Sequence, residues 1–138
     1  MQVAYQEACK AFEEGEVPVG AVVVAQGRII AKAYNQTEKL QDPTAHAEML
    51  AITAATNFLQ AKYLTQCKLY VSLEPCLMCA GAIAWAQVES LIWAASDEKK
   101  GFSRLETQVL HPKTKIVKGI MAEEAEALLK KFFKKLRN

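Results

Sequence analysis

The sequence predicts an α/β domain of three layers, α/β/α, built around a mixed five-stranded sheet. Three observations lead to this class. Short β-rich runs alternate with helical patterns along most of the chain. One of them, "KLYVSL" (Lys68–Leu73), is the kind of apolar run found in strands buried on both faces. The 138 residues hold no linker rich in Gly, Pro or Ser and no internal repeat, so a single domain spans residues 1–138 around one core.

Each element has its own signal. A first helix is read from about Val3 to Glu14, where Val3, Ala4, Ala8, Ala11 and Phe12 have helical spacing and Gly15 is a natural stop. "VGAVVVAQGRIIAKAY" holds two strands around Ala25-Gln26-Gly27-Arg28, a hairpin signal. Pro18 stands near the start of the first, where a missing amide donor is tolerated. Asp42-Pro43-Thr44 offers capping side chains to a long helix from about Ala45 to Leu59. After the Lys68–Leu73 strand comes a helix from about Cys76 to Ala86, then "SLIWAA" as a fourth strand. Residues from Asp97 to about Pro112 read as irregular, with Gly101 and Pro112 as breakers, and "TKIVKGI" reads as the fifth strand. The last helix, about Ala122 to Arg137, sets Leu128, Phe132 and Leu136 four apart beside Leu129 and Phe133.

The totals exclude several classes. Apolar residues make up 51% and charged residues 23%, the composition of a soluble globular protein. No apolar run approaches the roughly 20 residues that span a bilayer, so no membrane partner is expected. Met1 leads directly into a mixed helical pattern instead of an export signal, and the expected location is the cytoplasm. In that reducing compartment the four cysteines point to metal binding or catalysis before disulfides. The net charge of +2 gives the average surface no strong pull on nucleic acid. The last helix is the exception: Lys130, Lys131, Lys134, Lys135 and Arg137 form a basic edge, read as a solvated face or as a phosphate contact.

Chemistry is concentrated in two stretches, "PTAHAEML" and "LEPCLMCAGA". Cys76 and Cys79 are three apart, which puts them on one side of a helix, and Pro75 suits that helix's opening. Thiols at a helix N-terminus face unpaired amides and the positive end of the dipole, which favours thiolates. Such a pair can hold zinc but supplies only two ligands, and His46 is the natural third. One His and two Cys leave the fourth tetrahedral position for water, the open arrangement of a catalytic zinc. Glu48, two residues from His46, is poorly placed as a co-ligand and well placed to move protons. The competing reading is a structural zinc closed by Cys9, Cys67 or His111, which leaves Glu48 without a role.

H-x-E followed by P-C-x-x-C resembles the zinc-dependent cytidine-deaminase-like superfamily, whose members remove amino groups from nucleobases. Within it the chain is most similar to bacterial tRNA-adenosine deaminases, through "GEVPVGAVVV", Asn35, "DPTAHAEML", "LYVSLEPCLMCAGAI" and "LLKKFFKKLR". The resemblance implies a cytidine-deaminase-like fold, a homodimer, one zinc per subunit and conversion of adenosine to inosine at the wobble position of a tRNA anticodon loop. It implies that His46, Cys76 and Cys79 ligate the metal and that Glu48 shuttles protons. It further implies that Asn35 hydrogen-bonds the nucleoside, that Val17 lines the base pocket and that Asp97 lies near the nucleotide backbone.

Two stretches depart from that pattern. "AWAQV" carries Trp85 and Gln87 where a short polar segment with a basic residue is expected, and the tryptophan is similar to that of guanine-deaminase-type members. "EKKGFSRLETQVLHP" places Phe102 and Arg104 where the family has small residues. The alternative is therefore a deaminase of a free base or nucleoside, such as guanine or cytidine, with a closed pocket capped by Phe102, Trp85 or a phenylalanine of the final helix. A third reading is a zinc protein that only binds a partner, against which the intact Glu48 argues. "AGAIAWA" fits either a dimer interface or a buried core face.

Overall fold

The computed structural model describes residues 1–138. In chain order the elements are α1 (Gln2–Glu13), β1 (Gly20–Ala25), β2 (Arg28–Tyr34), α2 (Ala47–Leu59), β3 (Cys67–Leu73), α3 (Leu77–Ala86), β4 (Ser90–Ala95), a 3-10 turn (Phe102–Arg104), β5 (Lys115–Lys118) and α4 (Ala122–Arg137). The strands form one sheet in the order β2-β1-β3-β4-β5. β1 runs antiparallel to both neighbours, whereas β3, β4 and β5 are parallel. The sheet is mixed and five-stranded, with α2 and α3 on one face and α1 and α4 on the other, as the alternation of patterns predicts.

Strand periodicity decides which residues each layer receives. Ala21, Val23, Leu69, Val71, Leu91 and Trp93 point to the α2–α3 side, where they meet Ala47, Ala51, Ala55, Ala80 and Ile83. Alanines on the inner side of α2 let the helix lie close to the strands, so the bulk of this core comes from the sheet. Fully burying a Leu or Val contributes about 1.5–3 kcal/mol, and this layer is the main source of stability. On the opposite face α1 rests on Gly20, where a Cβ would collide with the carbonyl oxygen of Ala4 and the amide of Ala8. No helix is long and apolar enough to cross a membrane.

The β1–β2 hairpin turns through Gln26 (φ 52) and Gly27 (φ 75), both left-handed as a two-residue turn between twisted strands requires. β5 is a short edge strand whose four residues are all exposed, with Ile116 and Val117 bracketed by Lys115 and Lys118. Two helix starts differ from the sequence reading. α2 begins at Ala47 instead of Ala45, and α3 at Leu77 instead of Cys76, because His46 and Cys76 keep extended backbone at the N-cap positions. The capping role assigned to Asp42 and Thr44 is also corrected. Asp42 Oδ1 accepts from the amide (2.8 Å) and hydroxyl (2.7 Å) of Thr44, a closed local turn that consumes the acceptor before the helix begins.

Candidate active site

Two helices open at one point. His46, N-cap of α2, and Cys76, N-cap of α3, cap neither helix with their side chains and turn toward each other. His46 Nδ1 lies 3.7 Å from Cys76 Sγ and 3.4 Å from Cys79 Sγ, and all three donor atoms fall within 4.8 Å of one another. With bonds of about 2.0 Å to nitrogen and about 2.3 Å to sulfur, the N–S edge of a tetrahedral zinc site is about 3.5 Å. The donor set therefore fits one small tetrahedral cation. Cys9, Cys67 and His111 stand outside the group, so no fourth cysteine or histidine closes it.

The electrostatics suit the same ion. Hydrogen bonds from Cys79 and then His46 draw the Cys76 thiol down to about 4. The bond to Cys76 raises the His46 imidazole, and the same sharing, followed by burial, pushes the Cys79 thiol up. Cys79 is fully buried beside an anionic neighbour, and only a positive ion between the sulfurs makes a second thiolate favourable there. Glu48 sits in the first turn of α2, 3% exposed. Burial raises its carboxyl to about 7, and no basic side chain forms a salt bridge with it. A carboxyl balanced near neutrality can both take and return a proton.

Asn35 follows β2 and is buried. Its Oδ1 accepts the amide of Ala47 at 2.7 Å, which satisfies the first orphan donor of α2 and leaves the Nδ2 end for another partner. The Asn35 amide donates to the carbonyl of Val19 at 3.1 Å. Val17 lies two residues before that acceptor, half-buried against the main core. Asp97 ends the segment after β4, and its Oδ1 accepts the amides of Lys99 (3.1 Å) and Lys100 (3.0 Å), so its carboxylate shapes its own loop.

Sequence reasoning passed over Glu16. It is 1% exposed and accepts from Thr37 Oγ1 (3.2 Å) and from the amides of Glu38 (3.1 Å) and Lys39 (2.8 Å), fixing the loop that leads to His46. A glutamate between Gly15 and Val17 carries no local mark of burial, since its donors lie about twenty residues away. The aromatic lids are elsewhere. Phe102 is buried edge-on against Trp93, ring centroids 5.5 Å apart, and Trp85 is 84% exposed on α3. In α4, Phe132 packs on Phe12 of α1 and on Phe133, on the other side of the sheet.

A five-stranded sheet delivering one His and two Cys to paired helix starts, with a buried Glu beside them, defines a deaminase of the cytidine-deaminase-like class. Its particular branch follows from likeness along the whole chain. The chain belongs to the MafB19-like deaminase family, whose profile matches residues 1–137. It is 50% identical to a tRNA-specific adenosine deaminase of Aquifex aeolicus, over 100% of this chain and 94% of that one. A structure from a study of A-to-I editing by tRNA:A34 deaminases superposes with a TM-score of 0.86 at 40% identity, covering 94% of this chain and 97% of the other. A guanine deaminase from Nitrosomonas europaea superposes with a TM-score of 0.81 at 25% identity, covering 95% and 81%.

Proposed function

We propose that the chain is a hydrolytic tRNA adenosine deaminase that makes inosine at the anticodon wobble position with one zinc ion per subunit. The observation that carries this reading is the trio His46, Cys76 and Cys79, whose two N–S distances match the edges of a tetrahedral zinc site, with the buried Glu48 carboxyl two residues from the imidazole. Zinc held by His46 Nδ1 and the two thiolates would supply a Lewis acid that makes water a nucleophile at neutral pH. Glu48 takes the proton of the attacking water and passes it to the ring nitrogen beside the reacting carbon. It then helps protonate the amino group as that leaves as ammonia, so adenosine and water become inosine and ammonia.

Asn35 Nδ2 reaches the nucleoside while Oδ1 stays on α2, and Val17 lines the base pocket. Asn35→Asp keeps the acceptor and removes the donor. That variant is expected to melt within about 1 kcal/mol of wild type and to lose about tenfold or more in kcat/KM. Unchanged kcat/KM would remove Asn35 from the substrate site.

The RNA partner is supported by likeness to tRNA-specific adenosine deaminases along the full chain and by the exposed Lys99, Lys100 and Arg104 after β4. An anticodon loop presents unstacked bases that such a site can receive. Asp97, by folding the turn that carries Lys99 and Lys100, sets this segment beside the nucleotide backbone. We place the enzyme in the cytoplasm as a homodimer, paired through the exposed Leu77, Met78 and Trp85 of α3 and Phe58 of α2. Sedimentation at a single-chain mass would remove the dimer.

Likeness to the guanine deaminase favours a second reading, a free base or nucleoside as substrate. Its closed aromatic lid has no support, since Phe102 is in the core and Trp85 on the surface. Ammonia release from an anticodon stem-loop RNA, set against a panel of free bases and nucleosides, decides between them. Turnover of the RNA should weaken steeply with salt as counterions are released. Guanine turnover with none on the RNA overturns the tRNA assignment.

A further inference from the structure

We propose that Glu74 is a positioning residue that clamps the basic loop Asp97–Arg104 to the turn carrying Cys76, and so sets the grip on RNA. This rests on the tRNA reading above. Glu74 lies between β3 and α3 and is 3% exposed. Its Oε1 accepts the amide of Asp97 at 3.0 Å. Its Oε2 accepts the amide (2.9 Å) and the hydroxyl (2.5 Å) of Ser103.

The next two residues continue the clamp. The carbonyl of Pro75 accepts the amide of Phe102 at 3.0 Å, and Cys76 forms an antiparallel bridge with Gly101. The loop is drawn so close that a Cβ on Gly101 would collide with the Glu74 carboxyl. Three consecutive positions, the last of them a metal ligand, thus hold one face of the loop. The other face carries the exposed Lys99, Lys100 and Arg104. Both Glu74 oxygens are committed to the loop, so this carboxylate takes no part in moving substrate protons.

A carboxylate is required because every group that meets it is a donor. In Glu74→Gln one oxygen becomes an NH2, which faces either the Asp97 or the Ser103 amide, donor against donor. The loop then releases one end, and its cations lose their fixed distance from the tripod. The effect belongs in binding: KM rises while the chemical step, carried by Glu48, is preserved.

The test compares wild type, Glu74→Gln and the milder Ser103→Ala as zinc-loaded enzymes on an anticodon stem-loop RNA. For Glu74→Gln, KM is expected to rise about tenfold, with kcat within about threefold and zinc content unchanged. The slope of log KM against log salt should become shallower as phosphate contacts are lost. A merely destabilised enzyme does not show this pattern, because unfolded molecules lower kcat and leave KM and the salt slope alone. Ser103→Ala, which keeps the amide and loses the hydroxyl, should shift KM in the same direction by less. Hydrogen exchange at the amides of Asp97, Phe102 and Ser103 should quicken in Glu74→Gln without any RNA present. Wild-type KM and salt slope in Glu74→Gln, or a fall in kcat that tracks lost zinc, overturns the proposal. If wild type leaves the RNA unchanged, the tRNA reading fails by itself, and unaltered exchange at those amides overturns the clamp independently.

Discussion

Glu48→Gln is expected to retain one zinc per chain and to lose about 10³-fold in kcat. General acid–base catalysis contributes about 10² to 10⁴ in rate, and Glu48 is a buried carboxyl beside the tripod that is not committed to holding a loop. Glutamine keeps the shape and cannot carry the proton from water to the ring. Burying a carboxylate without a basic partner costs stability, so with the metal stripped from both chains the variant should melt at or above the wild-type temperature at pH 8. Metal analysis and single-turnover kinetics on one preparation give the answer. Stoichiometric zinc with near-normal turnover would refute the proton-shuttle role.

His46→Ala is expected to abolish turnover and to lower metal affinity by orders of magnitude. Two thiols remain, one of them pushed toward the neutral form by its hydrogen bond with Cys76 and by burial, and a pair of donors holds zinc weakly. A metal that binds only the folded chain stabilises it by about 4 kcal/mol when present at a thousandfold excess over its Kd. The imidazole does not cap α2, so its loss leaves the helix start intact, and the fall in melting temperature reports the missing ion. Wild type treated with a chelator should fall to nearly the same melting temperature. The measurement is zinc per chain after dialysis together with calorimetry. One tightly held zinc in the His46→Ala chain would mean that the metal sits elsewhere.

What was legible in the sequence is what covalent spacing controls. The His46–Glu48 and Cys76–Cys79 offsets are fixed by the chain, and alternating runs defined all five strands and four helices to within a few residues. What stayed hidden depended on distant partners. Asn35 shows no sign that its side chain will satisfy the first amide of α2, because Ala47 becomes a neighbour only after β2 joins the sheet. Glu16 and Glu74 carry no local mark of burial, since their amide donors lie more than twenty positions away. Phe102 is one of the candidate lids of the free-base alternative, yet Trp93, nine residues earlier, draws it into the core. α3, "LMCAGAIAWA", has no polar face, so nothing marked Ile83 as inner and Trp85 as outer until the sheet beneath was in place.

Both borders of the sheet are guarded by cations. β5 places Lys115 and Lys118 around its two apolar residues, and β2 carries Arg28 and Lys32 on the opposite rim. Like charges brought together repel, so a second copy gains little by adding a strand at either rim. Stacking of copies strand to strand is thereby disfavoured at both rims, and the homodimer proposed above would use helix surfaces instead, where a two-fold contact closes on itself.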